Sequence, residues 1–180
     1  MASESKVIHF YSADGANGIF SNFYKAPVKY NGKVYPTSEH AYQAAKFDYP
    51  GASEVNKRYV EAIRLEPSPA KIFFMGRQKK IGGLPWRVEL SKKIELYKEA
   101  KVRPDWERQK LPIMKEIVRA KFTQHLKLQD DLLRTKDAVL VEHTSRDKYW
   151  GDGGNGSGAN HLGKLLMELR EEFSADAFVC

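Results

Sequence analysis

Glu39, Tyr42, Gln43 and Lys46 fall at i, i+3, i+4 and i+7 in the segment PTSEHAYQAAKF, residues 36–47. On a helix this spacing makes one polar stripe beside Ala41, Ala44, Ala45 and Phe47, with Glu39 and Lys46 about 10 Å apart along the axis. An acid and an amine on one face can move protons or supply a nucleophile. The ordinary alternative is an exposed acid–base pair on a surface helix, and spacing alone does not decide between the two. A second concentration of unusual residues is YWGDGGNGSGANHLGKLLMELR at 149–170, where Asp152 and six glycines between Gly151 and Gly163 lead into an apolar repeat.

Glycine loses the most backbone entropy on folding, so such a cluster implies positive φ or a backbone that lies against something, and a ligand is the expected partner. Asn160 reads as an N-cap, followed by Leu162, Leu165, Leu166, Leu169 and Phe173 at the spacing of a helix with one buried face. Gly151, Gly153, Gly154, Asn155, Gly156 and Gly158 would then offer free N–H groups at the positive end of that helix, which is how main chain holds a phosphate or pyrophosphate. A flexible linker is the alternative, but Trp150 and Asp152 at the entrance are residues a linker does not need. Gly158 to Lys164 fails as a P-loop because Leu165 stands where Ser or Thr must meet magnesium, and Gly151 to Gly156 lacks the strand a dinucleotide fingerprint requires.

Other chemistries are poorly supported. His9, His40, His125, His143 and His161 show no paired spacing, so no metal site is expected. Cys180 is the only cysteine, which excludes an internal disulfide, and no G-x-S-x-G elbow occurs. Glu39, Lys46 and Asp152 remain as the residues whose settings look least like surface filler.

The elements that must carry them can be read in order. Residues 7–11 and 138–142 are β-type runs, and VKYNGKVY at 28–35 is a hairpin turning at Asn31-Gly32. Thr37 or Ser38 caps the polar-striped helix, Ser53 opens another to residue 65, and Ser68-Pro69 starts a third. Trp86 sits in a Gly/Pro-broken loop, Pro112 argues against one unbroken helix over 105–123, and residues 126–134 form a short helix. Phe20 and Phe23 around Ser21-Asn22 either cradle a base or ribose or are core residues flanking a turn.

The 180 residues suit one domain, 7–173, with tails at 1–6 and 174–180; 42% are hydrophobic and 29% charged. The formal net charge of +7 favours phosphate-bearing partners. No apolar run approaches the ~18 residues of a membrane span, and residues 1–6 are too short and polar for a signal peptide. An intracellular protein is expected, cytoplasmic with the nucleus as the alternative, and with no membrane partner.

FSNF at 20–23, PTSEHAYQAAKF at 36–47, KF at 121–122, LVE at 140–142 and the whole 149–170 block occur in an order that resembles the NADAR family, also called YbiA-like. The resemblance covers roughly residues 7–173. It implies a compact, predominantly helical α+β single domain with a small β-sheet including an N-terminal hairpin, and N-glycosidase chemistry without a cofactor. It further implies removal of ADP-ribose from the guanine amino group in nucleic acid, or cleavage of ribosylamino intermediates of riboflavin synthesis; a non-catalytic ADP-ribose-binding module is the alternative from another class. On that resemblance the bond breaks either through a carboxylate-stabilised oxocarbenium ion with activated water or through a Lys46 Schiff base, the second being preferred; Asp152 then moves protons, and Glu39 binds ribose hydroxyls or shares the transfer. Asn22, Phe23, Trp86, Trp150, the glycine loop and Asn160 are the expected substrate contacts, with His161 helping to shape the phosphate site.

Overall fold

The computed structural model describes residues 6–76 and 99–176. The chain folds as two units, one of residues 1–25 and 118–180, the other of residues 26–117. The class is the expected α+β, mostly helical, and among the described residues the strands form two separate two-stranded sheets. No described helix is long and apolar enough to cross a membrane.

In the second unit β2 (Val28–Tyr30) and β3 (Lys33–Tyr35) pair antiparallel across Asn31-Gly32. Both turn residues have positive φ, 46° and 76°, as a two-residue hairpin that follows strand twist requires. Helix α1 (Ser38–Ala45) is capped by Thr37, whose hydroxyl accepts from the His40 N–H. Ser53 caps α2 (Glu54–Arg64) and Ser68 caps α3 (Pro69–Met75), both in the manner the sequence implies. Tyr35, Phe47, Tyr59, Ile63, Ile72 and Met75 are fully buried here. Each such side chain contributes roughly 1.5–3 kcal/mol by leaving water. Asn56 ties residue 101 to the end of α1, donating to Phe47 O and Lys101 O while accepting from Lys101 N–H.

Helix α4 (Trp106–Gln124) runs through Pro112 without interruption. Pro112 is exposed, as is Arg108, whose carbonyl loses its helical donor. That carbonyl can be met by water, while Ile113, Met114, Ile117, Val118 and Phe122 keep the opposite face buried. The expected break therefore does not occur.

In the first unit β1 (Val7–Phe10) and β4 (Val139–Glu142) pair in parallel, with His9 opposite Val141. A 3-10 turn (Gly18–Phe20), α5 (Leu126–Leu133) and α6 (His161–Asp176) complete the unit. Leu162, Leu165, Leu166, Leu169 and Phe173 are all buried, as their spacing predicts. Helix α6 extends through residue 176.

Candidate functional site

The α1 stripe is buried. All eight residues of α1 are inaccessible, including Glu39, His40 and Gln43, which removes the surface-pair explanation. The Gln43 side-chain amide donates to Glu39 Oε1 at 2.7 Å, holding the carboxylate along the helix axis. His40 is locked by Thr37 Oγ1 and by the Glu66 carbonyl, each at 2.7 Å. Because a carbonyl only accepts, Nε2 carries the proton and Nδ1 receives the threonine hydroxyl; burial pushes this imidazole below its ordinary value.

Lys46 follows the last turn of α1 and its main-chain carbonyl accepts from Arg103 N–H. Its half-buried Nζ donates to Gly76 O at 2.9 Å and lies 5.6 Å and 5.4 Å from the ring centres of Tyr42 and Trp106. Those rings lie 5.1 Å apart and present their faces to an ammonium. Before acting as a nucleophile Lys46 must give up its proton and the bond to the end of α3. The stripe thus places a fixed carboxylate, an amide and a lysine on one short helix of the second unit.

In the first unit Asp152 is buried at the start of the glycine loop. Its Oδ1 accepts from Thr144 N–H and Gly154 N–H, at 3.1 Å and 2.8 Å, and Oδ2 meets His143 Nδ1 at 2.7 Å. Burial pushes the carboxyl up, but the bonds from His143, Gly154 and Thr144 outweigh it and hold the group at about 2. Asp152 is therefore an anion at neutral pH and a poor proton donor.

The loop differs from the expected phosphate cradle. The N–H groups of Asp152, Gly153, Gly158, Ala159, Asn160, His161 and Leu162 all donate to carbonyls within 142–152. Those of Tyr149 and Trp150 go to Asp147, and that of Ser157 goes to Asn155. The glycines are required because the chain lies against itself. A Cβ on Gly158 would stand 2.4 Å from Gly151 O and 2.5 Å from the Asp152 carbonyl carbon. Asn155 and Gly156 form the exposed tip, and Gly156 carries a φ of 78°.

Asn160 is also not an N-cap of the usual kind. Its φ of 50° is left-handed, and its side chain reaches back to β4, accepting from Glu142 N–H at 3.0 Å and donating to Leu140 O at 2.9 Å. Trp150 lies half-buried in an aromatic group with Tyr149 and His161, the Tyr149 and His161 rings 4.4 Å apart. Tyr149 lies edge-on to Trp150 at 4.9 Å and was not singled out by sequence.

Phe20 is core, edge-on to Phe10 at 5.8 Å, whereas Asn22 is buried and Phe23 half-buried. The turn that carries them is anchored by Lys121. This lysine is 1% exposed, and its Nζ donates to Ile19 O at 2.5 Å and Ser21 O at 3.0 Å. Burial pushes its ammonium down to about 7. The sequence marks Lys121 through the KF block at 121–122 and its place beside Ala120 in an apolar period, but neither discloses that its ammonium is buried. Trp86 lies outside the described residues.

The histidines also depart from expectation, since His9 and His143 lie with ring centres 5.0 Å apart and nearly perpendicular. Parallel pairing sets His9 opposite Val141, and residue 143 projects to the same face two positions on. No sequence spacing discloses a pair made by register between strands this far apart.

The model of the NADAR domain matches residues 9–174, and this chain belongs to that family. It is 42% identical over 173 residues to N-glycosidase YbiA of Escherichia coli (strain K12), covering 96% of this chain and 92% of that protein. The NMR structure of E. coli YbiA superposes with a TM-score of 0.75 at 40% identity, covering 98% of this chain and 90% of that one. Riboflavin biosynthesis protein PYRR, chloroplastic, of Zea mays is 37% identical over 177 residues, 94% of this chain but 25% of that protein. Hydrolysis of an N-glycosidic bond is the coarse activity that this membership supports.

Proposed function

We propose that the chain is an N-glycosidase that removes ADP-ribose from the exocyclic amino group of guanine in nucleic acid. The observation that carries the chemical part is α1, a helix buried along its whole length that nevertheless bears Glu39 and Gln43 and ends at Lys46. Burying a carboxylate costs several kcal/mol unless the fold gains something from it, and such groups gather at working sites. The relatives named as N-glycosidases support the reaction type. The net charge of +7 supports a phosphate-rich substrate.

An N-glycosidic bond to an amine breaks when the departing nitrogen gains a proton and positive charge at the anomeric carbon is stabilised. In this reading Lys46 attacks the anomeric carbon of the opened ribose to form an imine, which water then hydrolyses. Glu39, steadied by Gln43, binds ribose hydroxyls and exchanges the proton of the departing amine. Asp152, ionised at neutral pH, is assigned charge stabilisation in place of proton donation. Trp150 supplies a stacking face for a base, and Asn22, Phe23, Trp86 and the tip of the glycine loop complete the substrate contacts. Because the loop's N–H groups are largely taken, its contribution comes from Asn155, Gly156 and side chains more than from a main-chain cradle.

The test combines substrate and trap. Guanine-linked ADP-ribose on single-stranded DNA, on RNA and as a free nucleoside is compared with a ribosylamino pyrimidine phosphate, the class that the riboflavin names of relatives favour as the second reading. Turnover of the guanine adducts with little of the pyrimidine supports the proposal, and the reverse order replaces it. Borohydride should trap a covalent adduct with wild type and none with Lys46→Ala. Undiminished turnover by Lys46→Ala eliminates the imine.

A further inference from the structure

His9, His143 and Asp152 each present a donor atom such that all three atoms lie within 4.8 Å of one another. The three arise from different parts of the first unit: β1, the residue after β4, and the start of the glycine loop. Strand pairing holds the first two, since His143 N–H donates to Phe10 O at 3.0 Å and so extends the β1–β4 ladder. The Asn17 side chain also donates to the His9 carbonyl at 2.9 Å, which fixes the main chain on the other side. The backbones beneath both imidazoles are therefore set before any ligand arrives.

We propose that His9, His143 and Asp152 form a binding site for a divalent transition-metal ion of the zinc class. The donor set is two imidazole nitrogens and one carboxylate oxygen, which suits zinc, cobalt or nickel and is poorly matched to magnesium or calcium. Asp152 is prepared for the role in an unequal way. Its Oδ1 is taken up by two main-chain N–H groups, while Oδ2 faces His143 alone, so one oxygen holds the carboxylate in place and the other is left for coordination.

A tetrahedral ion about 2.0–2.1 Å from each ligand needs donors about 3.3 Å apart. His143 Nδ1 and Asp152 Oδ2 stand at 2.7 Å, and the remaining gap to His9 lies within 4.8 Å. Both histidines are exposed, and the His9 ring makes no hydrogen bond among the described residues, so rotation about its side-chain torsions closes the set without disturbing the fold. On binding, the ion takes the place of the hydrogen bond between His143 Nδ1 and Asp152 Oδ2, and the neutral imidazole carries its one proton on Nε2. Three protein ligands leave a fourth position for water or for an anionic oxygen of a bound molecule. The proposal shares Asp152 with the glycosidase reading, but its test reads binding of the ion and not turnover, so the two can fail separately.

The purified chain, stripped with a chelator and dialysed, is titrated with zinc chloride by calorimetry, and with cobalt chloride while the visible spectrum is followed. The expected result is one ion per chain at micromolar zinc and a cobalt spectrum of low-symmetry coordination. His9→Gln, His143→Gln and Asp152→Asn should each weaken binding about 10-fold or more, whereas His125→Gln leaves it unchanged. His9→Gln is the decisive variant, since its exposed ring touches only the ring of His143 edge-on and circular dichroism verifies that the fold is kept. Zinc binding to His9→Gln equal to wild type overturns the proposal, as does an absence of binding to wild type at a tenfold excess of zinc.

Discussion

Lys121→Met tests whether a lysine buried against two carbonyls is largely uncharged above neutral pH. Its Nζ donates to Ile19 O and Ser21 O and sits 5.5 Å and 5.2 Å from the ring centres of Tyr24 and Phe122. The rings favour the ammonium, but burial dominates and brings the group to about 7. Methionine fills a similar volume and removes both donors, leaving two carbonyls to be satisfied at about 1–3 kcal/mol each, offset in part by no longer burying an amine. A net loss of about 2–3 kcal/mol is expected at pH 7, read from urea unfolding with an unchanged slope.

The pH dependence of that loss carries the sharper information. With a folded value of about 7 against an unfolded value of about 10.4, the unfolded chain binds a proton that the native chain lacks throughout the interval. Wild-type stability from this group is therefore complete above the unfolded value and is lost as pH falls through the folded one. Between pH 7 and pH 9 the gap between wild type and Lys121→Met should widen by about 2 kcal/mol. Since both proteins share every other titrating group, a gap that stays constant over that range would refute a neutral buried lysine.

His40 gives the second pH test. Its folded value lies below the ordinary 6.5, so the native state resists the proton, and stability present above that value is lost as pH falls. Thermal unfolding at pH 7 and pH 5 should show a decline in wild type that His40→Asn reduces. Gly158→Ala should cost about 2–3 kcal/mol by forcing the loop off the Gly151 carbonyl. Gly156→Ala, with open space around its Cβ but a positive φ, should cost about 1 kcal/mol. Equal losses at the two glycines, measured by urea unfolding, would contradict a loop packed on itself.

The features legible in the sequence are those decided within a few residues. Asn31-Gly32 dictates its hairpin because only a short list of residues tolerates two successive positive φ angles, and Thr37, Ser53 and Ser68 cap helices by bonds to residues three positions on. The polar stripe of α1 was equally visible, although its burial was not, since that depends on what α2 and α3 pack against it. The glycine loop is legible as a feature, but the main-chain bonds that occupy most of its N–H groups are not. Close approach of the chain to itself and close approach to a phosphate leave the same residue type behind. The burial of Lys121 and the meeting of His9 with His143 are not legible for a related reason: each owes its environment to a partner far away in sequence, Ile19 and Ser21 in one case and strand register in the other.

The side of β4 that faces away from β1 has one further consequence. Leu140 N–H is met by Met167 Sδ, Leu140 O by the Asn160 amide, Glu142 N–H by the Asn160 amide oxygen, and Glu142 O by Asp152 N–H. A side-chain amide with one donor and one acceptor has taken the position a peptide group of a neighbouring strand would hold. That rim offers no open ladder to an incoming chain, so this sheet cannot grow on that flank by strand addition, whether from a peptide ligand or from another copy of the protein.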